Sequence, residues 1–256
     1  MLKENITVSQ EVISTSKRHW YTNDQLFLSQ HHFYKRVTQK RLKFILDCVH
    51  GYIKKAGKNN NGIIEVLDAG CGDGVVLNTL SLKKELRVVG CESNFLRALR
   101  AQKYSRQAHI INGDLKKTPF KSGSFHIIIL NQVLEHIKDD DTVLAELRRV
   151  VKDRGILVLG VPNEGCFLAR LRNKYIQPWI QSHTDHAHFY TEEKIRDKIT
   201  RSGFKILSLR RDGFMFPHTK IADLLSSFSL GFIFLHALGK VFKAQCGGLY
   251  FVCLKN

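Results

Sequence analysis

The chain has 256 residues, of which 43% are hydrophobic and 25% charged. That is enough apolar material to bury a core, which excludes wholesale disorder. With 4 Pro and 18 Gly, it is neither collagen-like nor a Pro-rich linker. The net charge of +17 points to an anionic partner such as nucleic acid, acidic lipid or a phosphorylated substrate, or simply to a solvated basic surface. The charge is not spread evenly: residues 1–62 carry +7, 63–165 carry +2 and 166–256 carry +8.

Residues 1–16 are polar and read as loosely held. From Trp20 to about Lys55, apolar residues such as Leu42, Ile45, Leu46, Val49 and Ile53 recur at three- and four-residue steps, predicting helix. Basic residues fill the gaps, and Trp20, Tyr21, Phe33 and Tyr34 interleave with them. AGKNNNG at 56–62 is a Gly/Asn loop. Beyond it, strands are predicted at 63–70, 86–92, 109–115, 125–132 and 155–163, with helices at 75–83, 94–104 and 141–152 between them. This alternation argues for βαβ crossovers and a parallel sheet.

After Asn163 the pattern changes, and 164–190 shows no clear strand. Thr191 suits a helix N-cap, Glu192 and Glu193 a first turn, and Gly203 a C-terminal stop. Two more strands are predicted at 204–212 and 248–256. Between them lies an apolar insert, 213–247, whose longest charge-free run, Leu224–Gly239, is shorter than the ~20 residues a spanning helix needs. A core or lid helix and a membrane-surface helix both remain open for it.

The six cysteines form no CxxC pair, and MLKENITVSQ has no apolar signal region, so the expectation is reduced thiols in a cytoplasmic protein.

VLDAGCGDG at 66–74 carries the most information. It places Gly70, Gly72 and Gly74 between a strand and a helix, where glycine permits positive φ and the helix offers free N–H groups. The spacing is G-x-G-x-G, preceded by Asp68, rather than the G-x-G-x-x-G of dinucleotide folds. Glu92 ends the second strand, where a carboxylate can accept hydrogen bonds from ribose hydroxyls, and Asp114 could take an adenine amine.

The ordered set VLDAGCGDG, CESN, GDLKKTPF, SFHIIILNQVLEHI and RGILVLGVPN resembles the class I S-adenosylmethionine-dependent methyltransferases. It is most similar to the ubiquinone/menaquinone-biosynthesis-like group known as methyltransferase type 11. The resemblance covers about 63–163 strongly and 183–212 loosely. It implies an α/β fold: a Rossmann-like seven-stranded sheet of order 3-2-1-4-5-7-6, strand 7 antiparallel, with helices on both faces. It implies S-adenosyl-L-methionine as cofactor and S-adenosyl-L-homocysteine as product. By the same resemblance Asp68, Gly70, Cys71 and Gly72 would line the methionine moiety, Glu92 would hold the ribose, Asp114 and Leu115 would flank adenine, and Asn131 would sit by the sulfonium.

Methyl transfer from a sulfonium is an in-line displacement, so the protein must align the groups, exclude water and supply a base or a metal for a weakly acidic acceptor. Among the twelve histidines, His136 in NQVLEHI stands beside Glu135, and His183, His186 and His188 cluster in SHTDHAHFYT. Glu135, His136 and His186 are the candidate catalytic residues. Some members of the family hold a divalent ion through E-x-x-E-H plus a later His. The matching positions are Gln132, Glu135, His136 and His186, with Gln132 replacing the first carboxylate. A divalent metal is left open on that ground.

The resulting expectation is one methyltransferase domain over 1–256: an N-terminal helical cap at 1–62, a cofactor-binding core at 63–163, and a substrate-side half at 164–256 with the helical insert 213–247. The expected reaction is O-methylation of a small molecule, such as a quinone precursor or a lipid- or glycan-linked acceptor. Peripheral contact with an anionic membrane stays open. So do two other functions, an RNA 2′-O-methyltransferase and a non-catalytic cofactor-binding partner subunit.

Overall fold

The computed structural model describes residues 32–56, 62–180 and 184–255, with side chains from Arg36 onward. Trp20, Tyr21, His183 and the 57–61 part of the predicted loop lie outside the described residues, as do the side chains of Phe33 and Tyr34.

The strands are β1 (Ile64–Ala69), β2 (Leu86–Glu92), β3 (His109–Asn112), β4 (Phe125–Asn131), β5 (Val151–Pro162), β6 (Phe204–Asp212) and β7 (Gly248–Lys255). They form one seven-stranded sheet of order β3-β2-β1-β4-β5-β7-β6, as the sequence resemblance implies. β1 pairs in parallel with both β2 and β4. β7 runs antiparallel to β5 and β6, with Leu159 opposite Phe251 and Leu209 opposite the same residue. Because β2 and β4 lie on opposite sides of β1, the chain reverses its direction of travel there. A crevice opens beyond the carboxyl ends of β1 and β4, the place where open α/β sheets bind ligands.

Side-chain alternation divides the core into two layers. On one face Val66, Ile127, Ile129 and Val158 pack against α1 (His32–Ala56), α2 (Val75–Leu80) and α3 (Phe95–Tyr104) through Ile45, Val49, Leu77, Leu80 and Ala101. On the other, Leu67, Ile128, Leu130 and Phe251 meet α4 (Asp140–Val150) and α6 (Glu192–Arg201) through Leu144, Leu147, Ile195 and Ile199. Strands buried on both faces need near-continuous apolar runs, and FHIIILN is one.

Local signals set the helix starts. Asn94 accepts from Arg97 N at 3.1 Å, Asp139 from Thr142 N at 3.3 Å, and Thr191 from Lys194 N at 3.3 Å. Gly203 takes φ +79° just beyond α6. Three boundaries differ from expectation by three residues or more. β3 ends at Asn112, before the predicted 115, because its partner β2 ends opposite it at Glu92. α2 ends at Leu80, before the predicted 83, because Ser81–Lys84 turn back into β2. β5 begins at Val151 rather than 155, because the cap residue of α4 is already extended and pairs with Phe125.

After β5 come a short helix α5 (Phe167–Leu171) and a wide turn over Arg172–Ile176. The insert after β6 folds into two helices, α7 (Thr219–Ser227) and α8 (Ser229–Val241). Both segments leave the carboxyl ends of their strands, and α1 packs against α7. No helix among the described residues is long and apolar enough to cross a membrane.

Candidate active site

A cavity of about 1070 Å³ lies at the carboxyl ends of β1, β2 and β4. It is lined by Asp68, Gly70, Cys71, Gly72, Glu92, Asp114, Leu115 and Asn131, all eight of the residues expected around a cofactor. Gln132 and His136 line it as well.

The glycine loop is shaped by backbone freedom. Gly70, Gly72 and Gly74 take φ of +76°, +56° and +87°. A Cβ on Gly70 would lie 2.4 Å from Val133 Cγ2, so glycine is also required there by space. Glu92, only 7% exposed, braces the loop: Oε2 accepts from Gly72 N and Oε1 from Asn94 N, each at 2.9 Å. One carboxylate thereby joins the end of β2 to the turn after β1 and to the start of α3.

Asp68 is buried at the end of β1, and its Oδ2 has no hydrogen-bond partner. Burial, with the nearby Glu92 charge, pushes its carboxyl up to about 7. Asp114 is more open; its Oδ1 accepts from Lys116 N at 2.9 Å and its Oδ2 lies 3.4 Å from Lys116 Nζ. Leu115 belongs to the buried core. Burial raises the Cys71 thiol far above its usual range, so Cys71 is a wall and not a nucleophile.

The turn after β4 has a different construction. Gln132 holds φ +56°, an unusual conformation for a residue with a side chain, and its N–H is tied to Gly160 O at 2.8 Å. Asn131 Oδ1, Gln132 Nε2 and Glu135 Oε2 are buried without hydrogen-bond partners. Glu135 is 1% exposed, and burial pushes its carboxyl up to about 7 despite the opposing pull of His186 and Arg41.

The fold brings the three candidate catalytic residues together across 51 positions of sequence. One ligand-type atom from each of Glu135, His136 and His186 lies within 4.8 Å of the others. The His136 and His186 rings meet edge-on, 4.7 Å apart. His188 is not part of this group; its Nε2 lies 3.1 Å from Lys138 O. Glu135 O accepts from Ala187 N and His188 N at 2.7 and 3.1 Å, which docks the 184–190 segment onto the turn after β4. A second clamp is the buried hydrogen bond from Tyr190 OH to Asp140, which also pairs with Lys198 at 2.7 Å.

Two carboxylates around these histidines escape a reading of the sequence alone. Glu164, two residues past β5, sits 2.5 Å from His186 Nδ1, and Asp185 sits 3.0 Å from His136 Nδ1. Burial alone would lower the His186 pKa, but the Glu164 carboxylate overrides it and holds the imidazole above its usual value. Glu164 itself is held low, against burial, by His186 and Arg172. The signal for Glu164 is its place at the carboxyl end of a strand beside the cavity. α1 also contributes wall residues, Thr38, Arg41, Leu42 and Ile45; Arg41 is fixed by donating to Tyr250 OH at 2.7 Å.

Residues 67–159 match a family model described as a methyltransferase domain. Over 203 residues the chain is 22% identical to a ubiquinone biosynthesis O-methyltransferase of Rickettsia bellii, covering 75% of this chain and 78% of that protein. It is 29% identical over 161 residues to a demethylmenaquinone methyltransferase of Thermotoga maritima, covering 56% and 70% respectively. In fold it is similar to an S-adenosylmethionine-dependent methyltransferase of Methanosarcina mazei, with a TM-score of 0.57 at 19% identity over 81% of this chain and 96% of that one.

Proposed function

We propose that this chain, which carries a methyltransferase domain at residues 67–159, uses S-adenosylmethionine to O-methylate a small lipophilic acceptor, with His136 in the cavity wall at the acceptor end and Glu135 and His186 grouped beside it. The observation that carries this reading is the buried Glu135 carboxylate, its Oε2 without a hydrogen-bond partner, beside two imidazoles at the opposite end of the turn that bears Asn131. The names of the relatives add that enzymes similar to this chain act in quinone biosynthesis.

S-adenosylmethionine supplies a methyl group already activated on sulfur. The chain's own residues bind, orient and take up a proton. Glu92 is placed to accept from ribose hydroxyls, since each of its oxygens uses one acceptor site on the backbone and keeps another. Asp68, Gly70, Gly72, Asp114 and Leu115 all line the cavity; the two glycines would let the ligand approach the backbone, Asp68 would hold the ammonium of the methionine moiety, and Asp114 and Leu115 would flank the base. At the acceptor end His136 is the wall residue, and Asp185 on its Nδ1 orients the ring. As the acceptor oxygen gains the methyl it must lose its proton, and His136 is the group positioned to take it, with Glu135 stabilising the charged ring. In the same reading α1, the 163–190 segment and the α7–α8 insert form the substrate-side cover of a single domain.

The same residues carry a second reading, a divalent cation. One carboxylate and two imidazoles are suitable donors, and each imidazole has its Nδ1 held by a carboxylate, as metal-bound histidines usually do. Glu135, His136 and His186 would hold the ion, which would lower the pKa of an acceptor hydroxyl. Gln132, a neutral amide, stands where a further carboxylate would strengthen the site.

Calorimetry with S-adenosylmethionine and S-adenosylhomocysteine, on the wild type and Glu92→Ala, tests the cofactor end. Methyl transfer to soluble catechols and other phenols, and to RNA oligonucleotides, tests the acceptor. Cofactor binding with transfer to phenols is the expected result; transfer to RNA alone, or to nothing, overturns the acceptor reading. Titration with Mg²⁺, Mn²⁺ and Zn²⁺, with EDTA added to the assay, decides the metal.

A further inference from the structure

The α7–α8 hairpin displays apolar residues on the side turned away from the core as well as toward it. On α8, Leu235 and Gly239 face inward, while Leu230, Ile233, Phe234 and Val241 are exposed, Leu230 by 82% and Val241 by 72%. Ile233 and Phe234 lie three and four residues beyond Leu230, and Val241 lies two turns beyond Phe234, so they form one stripe. Leu224 and Phe228 extend the exposed apolar surface through α7. Single exposed apolar residues are ordinary, but a continuous stripe on adjoining helices marks a contact surface.

A second patch adjoins it. Gln177 Oε1 accepts from Thr219 N at 2.9 Å, which joins the turn after α5 to the start of α7. That turn exposes Tyr175 and Trp179, by 67% and 53%, with Lys174 Nζ 5.0 Å from the Tyr175 ring centre. Both segments leave the same sheet edge as the cavity, from the ends of β5 and β6.

The charges indicate what meets this surface. Lys220, Lys240 and Lys243 are exposed around the stripe, and Asp223 is the only acidic residue in 213–247. Protein–protein interfaces are depleted in Lys. Exposed lysines bordering an apolar stripe, with Trp and Tyr nearby, match the headgroup zone of an anionic bilayer. At 13 residues, α8 reaches only ~20 Å, too short to span and suited to lie flat.

We infer that the α7–α8 hairpin, with the Tyr175–Trp179 turn beside it, docks on an anionic lipid surface and presents the mouth of the cavity to an acceptor dissolved in the bilayer. The inference rests on the small-molecule acceptor reading above and narrows that acceptor to one that partitions into lipid.

The test is sedimentation of the full chain with vesicles of phosphatidylcholine alone and of phosphatidylcholine mixed with phosphatidylglycerol, at low and physiological salt. Wild type is expected to bind the mixed vesicles, more weakly as salt rises. The Leu230→Glu/Phe234→Glu pair is expected to abolish binding. Lys220→Gln/Lys240→Gln/Lys243→Gln is expected to weaken it on the order of 100-fold, about fivefold per lysine. Leu82→Glu, at an exposed leucine in the turn between α2 and β2, is expected to change nothing. Unaltered S-adenosylmethionine affinity in each variant shows that it is folded. Absence of wild-type binding to the mixed vesicles overturns the inference, as does binding that survives Leu230→Glu/Phe234→Glu. A wild-type dimer that those two substitutions split, without any vesicle binding, would assign the stripe to a second copy of the chain. Transfer to soluble phenols is assayed without vesicles, so failure of the acceptor reading and failure of the docking surface are seen separately.

Discussion

After β1 the chain turns on glycine; after β4 it turns on glutamine. The first turn reaches φ +76° and +56° at Gly70 and Gly72, and Glu92 satisfies its backbone. The second reaches φ +56° at Gln132, at a conformational cost that glycine avoids, and leaves three buried polar atoms without partners nearby. Each such atom costs about 1–3 kcal/mol in the folded protein, which a molecule bound beside them can offset. The glycine turn is a cradle built of backbone, with a single buried side-chain atom, Asp68 Oδ2, left without a hydrogen-bond partner at the strand end before it. The glutamine turn is a set of side chains held short of satisfaction, which is how groups meant for a reacting molecule are kept available.

If that division is right, substitutions at the two turns separate cofactor affinity from turnover. The largest effect belongs to His136→Ala, for which kcat is expected to fall about 10²–10⁴-fold with S-adenosylmethionine affinity intact. Equal loss of affinity in calorimetry would break the comparison from the catalytic side. Glu92→Ala is expected to weaken S-adenosylmethionine on the order of 100-fold, since two charge-assisted hydrogen bonds are removed along with the brace on Gly72. An unchanged Kd would break it from the cofactor side.

Tyr190→Phe leaves the buried Asp140 with one partner fewer, and should cost about 1–3 kcal/mol in denaturant unfolding. Because this clamp anchors the segment that carries His186, kcat should also fall; a stability loss with kcat untouched would separate the clamp from the site. Gly70→Ala forces both a positive φ and a Cβ against Val133, and an expected loss of about 1–3 kcal/mol would appear as a lowered Tm and weaker cofactor binding.

The most gradual effect is one of pH, spread over several units. Asp68 keeps its proton up to about 7 in the folded chain, against an ordinary value of 3.8. The folded state therefore binds this proton more tightly than the unfolded state does. Its contribution to stability is present in acid and is lost as pH rises from about 4 to about 7. A bound ammonium favours the charged carboxylate. Affinity for S-adenosylmethionine should thus rise by up to ~10-fold per unit as pH approaches 7, then level off. Asp68→Asn should flatten that profile in calorimetry, and a profile that stays steep would move the dependence to another group.

The cofactor half was readable because its chemistry is local. VLDAGCGDG needs only neighbouring residues to make a positive-φ turn, and Glu92 follows at the end of the next strand of a regular βαβ unit. Strand order followed from the resemblance alone; the apolar run FHIIILN shows by itself only a strand buried on both faces. At the acceptor end the resemblance already grouped Glu135, His136 and His186, which the fold brings together; the carboxylates that pair with the two histidines were not readable.

The amino-acid sequence by itself determined the alternation of strands and helices, the glycine turn and the carboxylate that braces it, since these depend on periodicity and on φ preferences within a few residues. Only the tertiary structure decided that Glu164 pairs with His186, that Asp185 pairs with His136, and that Arg41 of α1 enters the cavity wall. It also decided that the insert folds as a hairpin with an exposed apolar stripe rather than one buried helix. Such pairings join residues from distant elements, and their distances are set by how β5, α1 and the 184–190 segment pack around the sheet edge, which no local preference encodes.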